Sequence, residues 1–155
     1  MNPWAAGGLS LRWWMLAAGI VLAGNAIWEM AQMPLYATSH PLLGCLRAAV
    51  VDTALTLAAV TAARRAGAHD SRAFWPTLVG LLLIVAAVIE ASALAGRHWA
   101  YGSAMPTLGG VGLVPLVQLA LLACFAVLIA DRLDRSLGKR EGAEPASPNE
   151  SERRG

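Results

Sequence analysis

Four apolar runs, at roughly residues 13 to 32, 43 to 63, 74 to 96 and 111 to 130, limit what this chain can fold into. Each is close to the ~20 residues with which a helix crosses a hydrocarbon core of ~30 Å. In such a core every backbone amide must find its partner inside the segment, so a run of this length is read as a helix. The connections are short, and successive runs must return beside one another. The expected fold class is therefore all-α, an integral membrane four-helix bundle over residues 13–131, with a short lead at 1–12. Residues 132–155 turn to Arg, Asp, Lys, Glu, Pro, Ser and Gly, a composition that buries no core, and are expected to form a disordered tail.

Composition agrees: 57% of the 155 residues are hydrophobic and 14% are charged, against about a quarter charged in soluble domains. The first run continues past Gly24 into polar residues with no small-residue cleavage pattern, so it reads as a span and not as a cleaved leader. All Lys and Arg residues except Arg47 and Arg97 fall on the side of the lead, the second connection and the tail. The positive-inside rule then places both termini in the cytoplasm, in a multi-pass protein of the bacterial cytoplasmic membrane. The formal net charge of +2 reflects that topology, and no nucleic-acid partner is expected. Trp13, Trp14 and Trp75 open their helices as interfacial anchors would. Cys45 and Cys124 lie at different depths, so no bond between them is expected.

Within the apolar runs the polar residues are few and gather at one depth. Asn25, Glu29 and Gln32 repeat at helical spacing and share one face of the first helix. Glu90 precedes the outer end of the third helix, while Asp52 and Gln118 follow the outer starts of the second and fourth. At ~1.5 Å per residue all of them sit roughly 5 to 15 Å inside the outer boundary. A carboxylate in a span costs roughly 2.5–3.5 kcal/mol on insertion scales, so it faces protein or a cavity. Neighbouring carboxylates in a dry site divide into proton donor and proton acceptor, which makes Glu29, Asp52 and Glu90 the candidate catalytic residues. Trp28, Tyr36, His98, Trp99 and Tyr101, with Asn25, Gln32 and Gln118, are the candidate substrate-binding residues. Ring faces among them suit developing positive charge. The loop from Gly96 to Pro106 reads as a lid, and Gly109, Gly110 and Gly112 as a flexible approach to the fourth helix.

The pattern Asn25-x-x-Trp28-Glu29-x-x-Gln32-x-Pro34-Leu35-Tyr36, then Glu90, Gly96-Arg97-x-Trp99-x-Tyr101, Met105-Pro106 and Gly112-Leu113-x-Pro115-Leu116-x-Gln118, resembles a family of small four-span bacterial membrane proteins. That resemblance implies the fold and no activity. The helix-end Glu with its aromatic-x-Tyr loop is distantly similar to membrane carotenoid hydratases, and Asn-x-x-Trp-Glu in a first span to membrane terpene cyclases. Both likenesses imply acid-initiated isoprenoid chemistry with Glu29 and Glu90 in the matching positions. This chain has fewer spans than either group, so a full substrate cavity is expected to draw on a homo-oligomer or a larger membrane complex.

Three functions are open at this point. The first is acid–base chemistry on a membrane lipid or isoprenoid at an outer-leaflet polar site, without a cofactor. The second is a non-catalytic partner subunit or small proton-linked carrier, with the polar cluster tying helices together. The third is soft-metal handling, since Met30, Met33, His40, Cys45, His98 and Met105 fall on the outer side and suit Cu(I). No closely spaced ligand pair supports that third reading, and no metal ligand is assigned.

Overall fold

A computed structural model describes residues 9–37, 42–67 and 72–141 of the chain. It contains four long helices, α1 (Leu11–Gln32), α2 (Leu42–Gly67), α3 (Phe74–Ala95) and α4 (Leu113–Glu141), each long and apolar enough to cross a membrane. They run alternately up and down in a ring of chain order. α1 and α3 each pack on both α2 and α4. The start of α1 thus meets the end of α4 at one end of the bundle, here the terminal end, while the α1–α2 and α3–α4 connections share the other, the loop end.

Local chemistry sets the helix limits. Ser10 caps α1 by accepting a hydrogen bond from the Trp13 backbone N–H at 3.0 Å. Pro34, which cannot donate, sits in the single 3₁₀ turn Met33–Leu35 that ends the run. A two-residue hairpin, β1 (Thr107–Leu108) and β2 (Val111–Gly112), leads into α4. Its turn is Gly109-Gly110, with φ of 59° and 85°, values that suit glycine and the twist of a two-residue hairpin. The expected flexible glycine approach is therefore an ordered turn, and the all-α description needs that small addition.

The tail also departs from expectation. α4 continues as helix through Glu141, so a disordered segment beginning at 132 is corrected for residues 132–141, and residues 142–155 lie outside the described ones. The extension has partners. Asp134 pairs with Arg12 at 2.9 Å and accepts from the Ser10 hydroxyl at 2.9 Å, and Arg132, Arg135 and Lys139 bring positive charge toward the C-terminal end of the helix dipole.

Small side chains fill the interior. Ala17, Ala49, Ala59, Ala63, Ala86, Ala123 and Ala130 are buried, whereas Leu11, Ile27, Val50, Ile84, Val88 and Phe125 are more than half exposed. That inversion suits hydrocarbon surroundings, in which helices associate through close backbone approach and large apolar groups stay outside. Toward the terminal end Leu78, Leu82, Val60, Ala123 and Val127 close the centre of the bundle without a polar atom in their side chains.

Trp13 is not an interfacial anchor. It is 1% exposed, its indole N–H donates to Asp131 at 2.6 Å, and the Arg64 guanidinium lies 4.6 Å over its ring. Trp14 and Trp75 are half-buried. Trp13→Ala should destabilise the protein in detergent by about 3–5 kcal/mol, as for a large buried aromatic. Trp13→Phe, which keeps one aromatic ring but removes the donor and the fused five-membered ring, should cost less, about 1–3 kcal/mol, and denaturant unfolding curves of the two variants check both.

Candidate functional site

Four helices deliver polar side chains to the loop end, and the amide of Gln118 on α4 joins those of α1 and α2. Pro115 in the first turn of α4 leaves the helix intact, and Gln118, one turn further and 2% exposed, points into the bundle. Its Nε2 lies 3.0 Å from Asn25 Oδ1, 3.1 Å from Glu29 Oε1 and 3.4 Å from Asp52 Oδ2. Two hydrogens are thereby shared among three acceptors on α1 and α2. Gln32 donates to Glu29 Oε1 at 3.0 Å and to Gln118 Oε1 at 3.4 Å. The helical repeat at 25, 29 and 32 puts these α1 groups on the face turned to α4.

Glu90 stands on the other side of the site with a different set of donors. The Tyr101 hydroxyl donates to Glu90 Oε2 at 2.5 Å and the Trp99 indole N–H to the same oxygen at 3.4 Å. Tyr101 is itself positioned by the backbone N–H of Gly112, 2.8 Å from its hydroxyl. A Cβ at position 112 would lie 3.0 Å from the Tyr101 ring and 3.1 Å from Pro115, so a side chain there would press both away by a few tenths of an ångström. The hairpin thus serves to bring β2 under the tyrosine.

Two loops roof the site. Ala37 N–H donates to Ala100 and Gly102 N–H to Leu35, each at 2.8 Å, around a bridge between Tyr36 and Tyr101. The Tyr36 ring meets Trp99 edge-on at 6.2 Å and Tyr101 at 5.9 Å. Beneath them is a cavity of about 440 Å³, within the ~300–1,000 Å³ range of small-molecule sites. Glu29, Gln32, Tyr36, Asp52, Glu90, His98, Trp99 and Gln118 line it.

Three of the candidate residues do not line the cavity. Asn25 is fully buried behind Gln118, and Tyr101 stands behind Glu90. Trp28 is half-buried away from the cavity, and its indole N–H has no partner among the described residues. The apolar walls, Gly44, Ala48, Val51, Ala86, Ile89, Pro115 and Leu119, were not candidates, and neither was Arg47 at the rim. Gly44-x-x-x-Ala48 was the available signal, because small residues four apart mark close approach between helices.

No arginine or lysine pairs with Glu29, Asp52 or Glu90 among the described residues, and Arg47 forms no ion pair with Asp52 there. Neutral donors alone hold the three acids. Gln32 Oε1, in the cavity lining, is buried without a partner among the described residues and leaves a polar valence for a ligand or water, whereas Asn25 Nδ2 and Thr56 Oγ1, equally unpartnered there, do not line the cavity. Of the soft-metal donors, Cys45 and His98 line the cavity, Met105 is buried and Met30 is 46% exposed. His40 lies outside the described residues. Both cysteines are free, and among the described residues no three His, Cys, Asp or Glu side chains gather around a metal-sized space.

The carboxylates are felt in the roof. Burial pushes the Tyr36 phenol well above its ordinary range, and the negative charges of Glu90 and Glu29 push it further. Burial and the hydrogen bond to Glu90 push Tyr101 up to about 12. These are the only two tyrosines in the chain. An ultraviolet titration of the folded protein should therefore show no tyrosinate step near the ordinary value of ~10 and a first step at about 12. A phenol raised on folding stabilises the fold fully below its unfolded value, so this contribution should disappear between pH ~10 and the folded value. Glu90→Gln removes the charge and should move the Tyr101 step downward. Gln118→Leu strips several buried acceptors of their donor and should cost about 1–3 kcal/mol in unfolding measurements.

Compared with protein-family models, curated proteins and solved structures, the chain matches none.

Proposed function

We propose that this chain is a multi-pass protein of the bacterial cytoplasmic membrane, with the terminal end in the cytoplasm, that performs acid–base chemistry on a double bond of a lipid of isoprenoid type. The observation that carries the reading is the convergence of Glu29, Asp52 and Glu90 on one cavity, with only neutral hydrogen-bond donors to them among the described residues, under a cluster of aromatic rings. Acids kept without basic partners suit chemistry in which a proton leaves one carboxyl and returns to another. Rings above them suit a positively charged carbon in between.

Glu90 is the better placed donor. Both of its hydrogen bonds fall on Oε2, which leaves Oε1 to carry a proton toward the cavity. In the proposed step the π electrons of the substrate form a bond to that proton and a cationic carbon results beside Tyr36 and Trp99. Loss of a proton from the neighbouring carbon to Asp52 restores a double bond, so the substrate is isomerised with no co-reactant, and return of that proton from Asp52 to Glu90 resets the site. Glu29, held by Gln32 and Gln118 through Oε1, is the third carboxyl group lining the cavity. The apolar closure at Leu78, Leu82, Val60 and Val127 favours a chamber open at one end over a proton-linked carrier.

The test is mass spectrometry of organic extracts from cells with the wild type, with Glu90→Gln, with Glu29→Gln and without the gene. A lipid present only with the wild type is expected. Glu90→Gln should lower its formation by ~10²–10⁴-fold, the usual worth of a general acid, at unchanged membrane abundance. Equal product from both isosteres and the wild type would sink the reading. Extracts identical in all four strains, with a stoichiometric protein partner in mild detergent, would point to the accessory-subunit function.

A further inference from the structure

The acid cluster does not explain how a ligand reaches it. Between α2 and α3 the cavity walls are Gly44, Ala48 and Val51 on one side and Ala86 and Ile89 on the other. The α2 residues are spaced three and four apart, so they form one flank of the helix. Val51 lines the cavity and is also 54% exposed, which brings the cavity to the surface of the bundle at that point. Val51 belongs to the exposed apolar belt, so the opening faces the surroundings that suit hydrocarbon. α2 and α3 are connected only at the terminal end. The described backbone bridges at the loop end run elsewhere, between the segment after α1 and the α3–α4 loop.

Size and charge select what can pass. At ~30 Å³ for each water-sized group, a cavity of about 440 Å³ holds roughly fifteen non-hydrogen atoms, so a long-chain membrane lipid fits by one end only. A phosphate or carboxylate head entering first would meet Glu29, Asp52 and Glu90, none of which is ion-paired among the described residues, whereas the cation in the lining, Arg47, stands exposed at the rim. A hydrocarbon chain end meets no such repulsion, and Ala48, Ala86, Ile89 and Leu119 give it apolar walls. Gln32, 4% exposed with an unpartnered Oε1 in the cavity lining, can only accept there and adds no attraction for an anion.

We infer that the cavity is loaded sideways, through the α2–α3 seam, by the apolar chain end of a membrane lipid whose headgroup stays outside beside the exposed Arg47. Resting on the proposed double-bond chemistry, this narrows the substrate class to lipids whose reacting bond lies near the far end of the chain. Ala48 and Val51 then set which chains pass, through their small size at the opening.

The experiment uses the full chain in phosphatidylcholine nanodiscs with two photoreactive palmityl alcohols, one carrying its diazirine at the chain terminus and the other beside the hydroxyl. Peptide mapping should place the terminal label on cavity residues such as Ile89 and Leu119, and the hydroxyl-side label outside near Arg47. Ala48→Trp and Val51→Trp, each checked for an unchanged Tm, should reduce terminal labelling of the cavity roughly tenfold or more, because the chain end must then crowd the indole in the loaded state. Wild-type labelling in both folded variants would overturn the proposal, and so would a hydroxyl-side label inside the cavity. Labelling needs no turnover, so it is expected even where Glu90→Gln shows the acid chemistry to be wrong. Product formation that survives both tryptophan blocks would overturn the seam while leaving the acid chemistry standing.

Discussion

A single primary amide holds the loop end of this bundle together. Buried polar groups in apolar surroundings must find one another, because no solvent is present to satisfy them. Gln118 resolves that requirement for three helices at once, with Asn25 and Glu29 on α1, Asp52 on α2 and its own backbone on α4. Such interhelical contacts are worth only ~0.6 kcal/mol on average in membranes, so their weight lies more in geometry than in stability. They fix the rotation of α1 and α2 about their axes, which apolar packing among alanines leaves loosely defined.

Once those rotations are set, the roof follows. The segment after α1 is delivered beside the α3–α4 loop, where two backbone hydrogen bonds and the Tyr36–Tyr101 bridge join them. The hairpin turn at Gly109-Gly110 then returns Gly112 to the Tyr101 hydroxyl, and Tyr101 in turn holds Glu90. Glu90 is thus positioned from the loop, not by its own helix partners. A change at Gly112 would reach the carboxylate through two hydrogen bonds without touching the cavity.

The helices were legible because each run is long, apolar and bounded, and the shared depth of Asn25, Glu29, Asp52, Glu90 and Gln118 followed from counting residues along them. Their meeting was not legible, since spacing along a chain leaves helix rotation free. Trp13 misled for a related reason: an indole near a helix start fits an interface, and only the position of Asp131 on α4 turns it inward. The hairpin was missed although Gly-Gly between short β-prone pairs is a known turn signal, because two-residue strands carry no periodicity to read. The cavity walls were missed because alanine and glycine announce neither chemistry nor shape.

The two ends of the bundle treat their acids in opposite ways, and this bears on function. At the terminal end Asp134 pairs with Arg12 and Asp131 lies 4.0 Å from Arg64, which itself lies over Trp13. At the loop end Arg47 stands at the rim of the cavity with Asp52 one turn below, yet Asp52 takes its hydrogen bond from the Gln118 amide. Stability alone would favour the ion pair, because an uncompensated charge in low dielectric is among the costliest features a fold can carry. Keeping three carboxyl groups among neutral donors retains their freedom to exchange protons. Under the proposed chemistry, that freedom serves the movement of a proton on and off the bound molecule.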